Sequence, residues 1–267
     1  MGRALAVTFA WTLAAFFALW LVSLRRRDAS LVDVWWGPGF LAIAGVALLA
    51  SGAPSPRSWL ALALVALWGL RLGIHLFRRN RGRGEDFRYQ AMRRRHGDRF
   101  GLVSLASVFG LQAVLQWIVS LPLQVAILSS EPIRLGVWDA LGVALFAVGF
   151  GFESLGDRQL ARFKADPGSA GRVLERGLWC WTRHPNYFGD CLVWWSFLAL
   201  ALATPGGAWT AVGPVVMTVL LRRVSGVTLL ERHLVRSRPG YADYVARTSP
   251  FFPRPPRRGA PRSSSRG

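Results

Sequence analysis

Apolar residues along this chain fall into long, nearly unbroken runs, and most polar residues are gathered in the gaps between them. A helix that crosses a bilayer needs about 20 predominantly apolar residues. Seven runs are candidates: Ala4 to Leu24, Val34 to Ser51, Ser58 to Phe77, Leu102 to Ser129, Leu135 to Glu153, Phe188 to Ala203 and Trp209 to Leu221. The last two are short, and merging them gives six passages; seven agrees better with the charges. The first run reads as a retained helix and not a signal peptide, because Arg25, Arg26 and Arg27 follow it and no small-residue cleavage site is evident. The pattern predicts an all-α, polytopic membrane helical bundle of about seven helices, one domain over residues 1–253, and a basic, disordered tail over 254–267.

Charge fixes an orientation. Three arginines lie at Arg25 to Arg27, nine between Arg78 and Gly101, six Lys and Arg between Ser154 and Tyr187, and eleven from Arg222 onward, which makes 29 of the 33. Alternating the sides of seven passages puts all of these on one side, leaving Arg3, Arg57 and Arg134 on the other and Arg71 within a helix. Positive charge is retained on the cytoplasmic side, so the N-terminus is expected outside and the C-terminus inside, in a multi-pass protein of the cell inner membrane. The net charge of +19 raises nucleic acid as a partner. Nucleic-acid surfaces, however, carry their basic residues along one face of a soluble fold, whereas these crowd the ends of apolar runs. The Arg93 to Arg95 run is most simply a topology determinant, and the Trp pairs at 35–36 and 194–195 read as interfacial anchors. Cys180 and Cys191 lack metal-ligand spacing, the four His are scattered, and no metal site is expected.

Two polar runs carry the candidate chemistry. In Gly149-Phe-Gly-Phe-Glu-Ser-Leu-Gly-Asp157 and its continuation to Lys164, Glu153, Asp157 and Lys164 share one helical stripe. Charges there are costly at the end of a spanning helix unless they pair or face water, so the stripe is either a salt-bridged helix end or a site. In Thr182-Arg-His-Pro-Asn-Tyr-Phe-Gly-Asp190, Pro185 suits the first position of a helix. Asn186 and Asp190 then sit one turn apart near free N–H donors, with Arg183 close by. Such an end holds phosphate, and Asn with Asp offers both donors and acceptors to a carboxamide such as nicotinamide. A polar helix cap is the plainer alternative.

The stretch from about Phe150 to Asp190 resembles the C-terminal signature of the membrane steroid 5-alpha-reductase superfamily, most closely its bacterial branch known only as a domain of unknown function. Asp33-Val-Trp-Trp-Gly-Pro-Gly39, Arg81-Gly-Arg-Gly-Glu-Asp-Phe-Arg-Tyr89 and Tyr241-Ala-Asp-Tyr-Val-Ala-Arg-Thr-Ser-Pro-Phe-Phe-Pro253 resemble that branch too. The resemblance implies a bundle that binds NADPH from the cytoplasmic side. Glu153, Asp157, Lys164, Arg172, Arg183, Asn186 and Asp190 would be its cofactor-binding residues, with Asn186 at the nicotinamide and Lys164 in place of an Arg that meets phosphate. Glu153 stands where the steroid reductases have Asn. Their substrate carbonyl is bound by a Tyr helped by a Glu; His75 takes the Tyr's place here, and Asp33 is the nearest counterpart of the Glu. The family's late His and Tyr are unmatched in Leu229-Leu-Glu-Arg-His-Leu234.

The resemblance therefore implies NADPH-dependent reduction of a carbon–carbon double bond conjugated to a carbonyl, in a lipid or steroid-like substrate, with His75 or Tyr187 as the catalytic acid. A rival is an S-adenosylmethionine-dependent membrane methyltransferase similar to the isoprenylcysteine carboxyl methyltransferases. Those share the pattern of Arg183-His-Pro-Asn-Tyr-Phe-Gly189, with a late Glu and paired Tyr, here Glu231, Tyr241 and Tyr244. Asn186, Asp190, Asp157 and Lys164 weigh toward the reductase. A non-catalytic membrane scaffold is the third alternative.

Overall fold

The computed structural model describes residues 1–224 and 240–256, and every regular element among them is helical. The helices are α1 (Gly2–Arg26), α2 (Leu31–Ala50), α3 (Pro56–Asn80), α4 (Phe87–Val119), α5 (Leu121–Leu128), α6 (Val137–Ala165), α7 (Pro185–Leu202), α8 (Val212–Val219) and α9 (Tyr241–Arg247). Five of these, α1, α2, α3, α4 and α6, are long and apolar enough to cross a membrane. They overlap the first five runs read from the sequence. The other two runs fall on α7, whose 18 residues begin with a polar turn, and on the shorter α8. Glu231, His233 and most of the basic tail lie outside the described residues.

Two boundaries differ from the hydropathy pattern. The Arg-rich stretch before Leu102 is helical, because Asp86 caps it by accepting from the Arg88 N–H at 2.9 Å. The run read as Leu102 to Ser129 is broken after Val119: α5 restarts with Pro122 in its first turn, where a missing N–H costs nothing.

The chain gathers into two compact units, one of residues 1–142 and 197–216 and one of residues 143–196 and 217 onward. In the first, α2 and α3 form a tight hairpin. A Cβ on Gly37 would stand 2.5 Å from the Gly69 carbonyl oxygen, and one on Gly73 would stand 2.7 Å from Pro38 Cγ. Small residues four apart thus let two backbones touch in a setting where hydrophobicity gives helices little reason to associate. Ser55 and Ser58 close a capping box at the start of α3. Beside it, Arg57 makes a two-pronged ion pair with Asp139 (Nε–Oδ1 2.7 Å, Nη2–Oδ2 2.9 Å), both side chains almost wholly buried. Helix α5 is buried along nearly its whole length, and its Gln124 accepts from Thr8 Oγ1 (2.5 Å) and donates to Ser120 Oγ (2.7 Å).

In the second unit α6 and α7 cross as closely. A Cβ on Gly149 would meet the Gly189 carbonyl oxygen at 2.7 Å, and one on Gly189 would strike the Glu153 backbone nitrogen. Trp194, read as an anchor, is completely buried there, while Trp195 keeps one edge outward and donates to Thr218 Oγ1 at 3.2 Å.

Candidate functional site

The sequence run from Gly177 to Asp190 folds as a short 3₁₀ turn, Gly177–Cys180, followed by the start of α7 at Pro185. It is fastened on two sides. Towards α6, Trp179 Nε1 donates to the Gly156 carbonyl at 3.1 Å and the Leu178 N–H donates to Gln159 Oε1 at 3.0 Å. Towards the C-terminal segment, Tyr244 donates its hydroxyl proton to the Trp179 carbonyl at 2.6 Å, and Thr182 Oγ1 donates to the Phe251 carbonyl at 2.9 Å. Burial pushes the Tyr244 phenol far above its ordinary range, so it stays a neutral donor. Arg183, read from the sequence as a phosphate contact, is built into this frame: its Nη1 caps α9 through the carbonyls of Val245 (3.0 Å) and Thr248 (2.5 Å).

This frame brings the two sequence runs together. Asn186, in the first turn of α7, donates from Nδ2 to Asp157 Oδ1 of α6 at 3.1 Å. Glu153, one turn earlier on α6 and 3% exposed, packs its backbone and Cβ against Gly189. Asp190 lies one turn after Asn186 and is half-buried, as is Tyr187. The Tyr187 ring stacks on His184 (centroids 5.3 Å apart, planes 3° apart), which is 2% exposed. His184 stands in the quoted motif but was given no role from the sequence; only its packing marks it.

A cavity of about 150 Å³ opens beside this cluster, lined among others by Lys164, Trp179, Arg183, His184, Tyr241 and Tyr244. Lys164 thus joins the site, while Arg172 is exposed and outside the cavity's lining. Among the described residues no cluster of three or more His, Cys, Asp or Glu is placed to hold a metal ion.

His75 belongs to the first unit, half-buried on α3. That unit also pairs Asp33, the acid named from the sequence, with Tyr89 and Arg88. Tyr89 donates its hydroxyl proton to Asp33 Oδ1 at 2.9 Å, and Arg88 Nη2 donates to Asp33 Oδ2 at 2.8 Å. The Tyr and acid are 56 positions apart, so only the fold pairs them; the signal available beforehand was that both lie in blocks resembling the same family.

Fold and site together describe a helical membrane protein with a polar cluster at the crossing of α6 and α7. The chain belongs to the family described as "Protein of unknown function (DUF1295)", which matches residues 19–248. It is similar to "Uncharacterized protein C594.04c" of Schizosaccharomyces pombe, with 27% identity over 264 residues, covering 88% of this chain and 76% of the yeast protein. No solved structure matches it.

Proposed function

We propose that the protein is an NADPH-dependent reductase of an activated carbon–carbon double bond in a lipid or steroid-like molecule, working from the cytoplasmic face of the cell inner membrane. The observation that carries this reading is the Asn186–Asp157 pair. One amide N–H of Asn186 is spent on Asp157, and its carbonyl oxygen and second N–H make no other bond among the described residues. Asn186 is half-exposed, so it offers one acceptor and one donor side by side, the complement of a primary carboxamide. Asp157 orients that amide. In the adjoining cavity Lys164 suits a phosphate, and Trp179, Tyr241 and Tyr244 supply aromatic walls.

When bound, the cofactor supplies a hydride to the electron-poor carbon of the double bond. The chain's own task is to orient the carboxamide through Asn186, exclude water and deliver a proton to the enolate formed in the substrate. We assign that proton to Tyr187, which follows Asn186 in the first turn of α7 and is half-buried. General acids of this kind contribute about 10²- to 10⁴-fold. Glu153 and Asp190 flank the amide and tune its surroundings.

A specific observation favours a second reading, the methyltransferase: Arg183, His184, Tyr241 and Tyr244, which carry that resemblance, line one cavity. A thermal-shift comparison on detergent-purified protein separates the two. NADPH should raise the melting temperature more than S-adenosylmethionine does, and Asn186→Ala should abolish that rise without lowering the melting temperature of the free protein. A larger rise with S-adenosylmethionine overturns the reductase reading, and no rise with either leaves the scaffold.

A further inference from the structure

The arginines at the end of α1 and those of the α4 entry, some 70 positions apart, meet in one surface. The Ala29 N–H donates to Glu85 Oε1 at 2.9 Å, and the Asp86 N–H donates to Ser30 Oγ at 2.7 Å. Arg93 donates to the same Glu85 (2.8 Å) and lies over the Phe100 ring at 4.1 Å. Trp20 Nε1 donates to the Gly101 carbonyl at 3.0 Å, so the last turns of α1 run beside the residues that follow Arg99. Around this junction Arg25, Arg26, Arg27, Arg94, Arg95 and Arg99 are all exposed and make no ion pair among the described residues. The acids Glu85 and Asp86 are already taken by Arg93 and Arg88, leaving Asp28 and Asp98 against six cations.

Below this basic surface, the same two helices part around an apolar hollow of about 380 Å³ whose walls include Ala14, Phe17, Phe109 and Gly110. The parting has a backbone cause: α4 carries a π-helical turn at Leu105–Gly110, which widens the helix just where it lines the hollow. Phe17 is eight residues from Arg25, and Phe109 is ten from Arg99. At 1.5 Å per residue these are depths of about 12 and 15 Å, and half of a bilayer's hydrocarbon core is also about 15 Å. The hollow therefore lies one leaflet's depth from the arginines, with an exposed apolar edge between them at Leu21, Val22 and Leu102.

From this combination we infer that the α1–α4 seam is a binding site for an anionic phospholipid, its phosphate held by the six arginines and one acyl chain running into the hollow. A zwitterionic lipid fills the hollow equally well but meets the arginines with a neutral headgroup, so the charge selects the class of lipid. The site is independent of the proposed reductase activity and needs no dinucleotide.

The test is native mass spectrometry and melting temperature of the full chain in detergent, titrated with phosphatidylglycerol or phosphatidylcholine of matched chains. Phosphatidylglycerol should stay bound and stabilise at lower concentration, and raising the salt should narrow its advantage. Replacing Arg94, Arg95 and Arg99 by Gln should weaken phosphatidylglycerol on the order of a hundredfold and leave phosphatidylcholine unchanged. Ala14→Phe, which fills the hollow, should weaken both lipids alike. Equal binding of the two lipids by the unmodified chain, or an advantage that salt does not reduce, overturns the inference. So does glycerol phosphate stabilising as well as the lipid, since the acyl chain would then have no part.

Discussion

At the scale of single residues, the fold places charges where removal of either partner has a calculable consequence. Arg57 and Asp139 are 1% and 2% exposed and bound by two short hydrogen bonds. Taking one away strands the other, which costs about 3–5 kcal/mol, whereas replacing both with apolar residues of similar volume is close to neutral. Arg57→Met should therefore lower the unfolding free energy in mixed micelles by about that amount, and a further Asp139→Leu should restore most of it. Glu85 behaves differently because it titrates. Burial opposes its ionisation, but the hydrogen bonds from Arg93 and the Ala29 N–H outweigh burial and hold its carboxyl below the ordinary value of 4.5. The unfolded chain takes up this proton first, so the contribution is whole above pH 4.5 and drains away as pH falls through the depressed folded value. Glu85→Gln should flatten that acidic part of the melting-temperature profile and leave the neutral part unchanged in shape. At Tyr187, Phe should reduce turnover of an enone substrate by about 10²-fold or more with little change in KM; an unaltered kcat removes Tyr187 from the chemistry.

Between elements, glycine decides how closely helices approach. Gly189 is in backbone contact with Glu153 and Gly149, and no flexible side chain is available there to yield to a new Cβ. Gly189→Ala should destabilise by about 1–3 kcal/mol, the usual cost of overpacking. Because α6 and α7 carry Asp157 and Asn186, the same change should also weaken NADPH binding, which a surface substitution of equal destabilisation, set by titrating denaturant, should leave intact. Little of this was legible in advance. The apolar runs gave α1, α2 and α3 to within three residues at each end, because apolar length is what a bilayer imposes, while the run for α6 stopped at Glu153, short of the helix end at Ala165. They missed the helical entry to α4, where Arg88 to Arg95 hide a helix from any apolar criterion and Asp86 starts it. The candidate site was legible as a set of polar residues at helix ends, but not as pairs. Asn186 with Asp157 is a long-range bond that no local spacing encodes, as is Tyr89 with Asp33 within the first unit.

For the whole molecule, the distribution of arginine determines which way the chain faces. In the first unit the turn of α1 into α2 and the segment from Arg78 to Arg99 are bound together and strongly basic. The turns at the other ends of α2, α3 and α6 hold only Arg57, neutralised by Asp139, and Arg134, offset by Glu131. The tertiary pairing of Arg57 thus sharpens an asymmetry that counting residues already suggested, because a buried ion pair presents no net charge to the membrane surface. We propose from this asymmetry an N-terminus outside, which can be tested within this unit alone. In a chain with Cys180→Ser and Cys191→Ser, a cysteine at Ser130 should react with a membrane-impermeant maleimide on intact spheroplasts, and one at Arg83 should react only after the membrane is opened. The reverse pattern would invert the orientation of this unit and place its basic surface outside. Labelling of both positions on intact spheroplasts would mean that an odd number of passages does not separate them, contradicting α4 as a membrane-crossing helix.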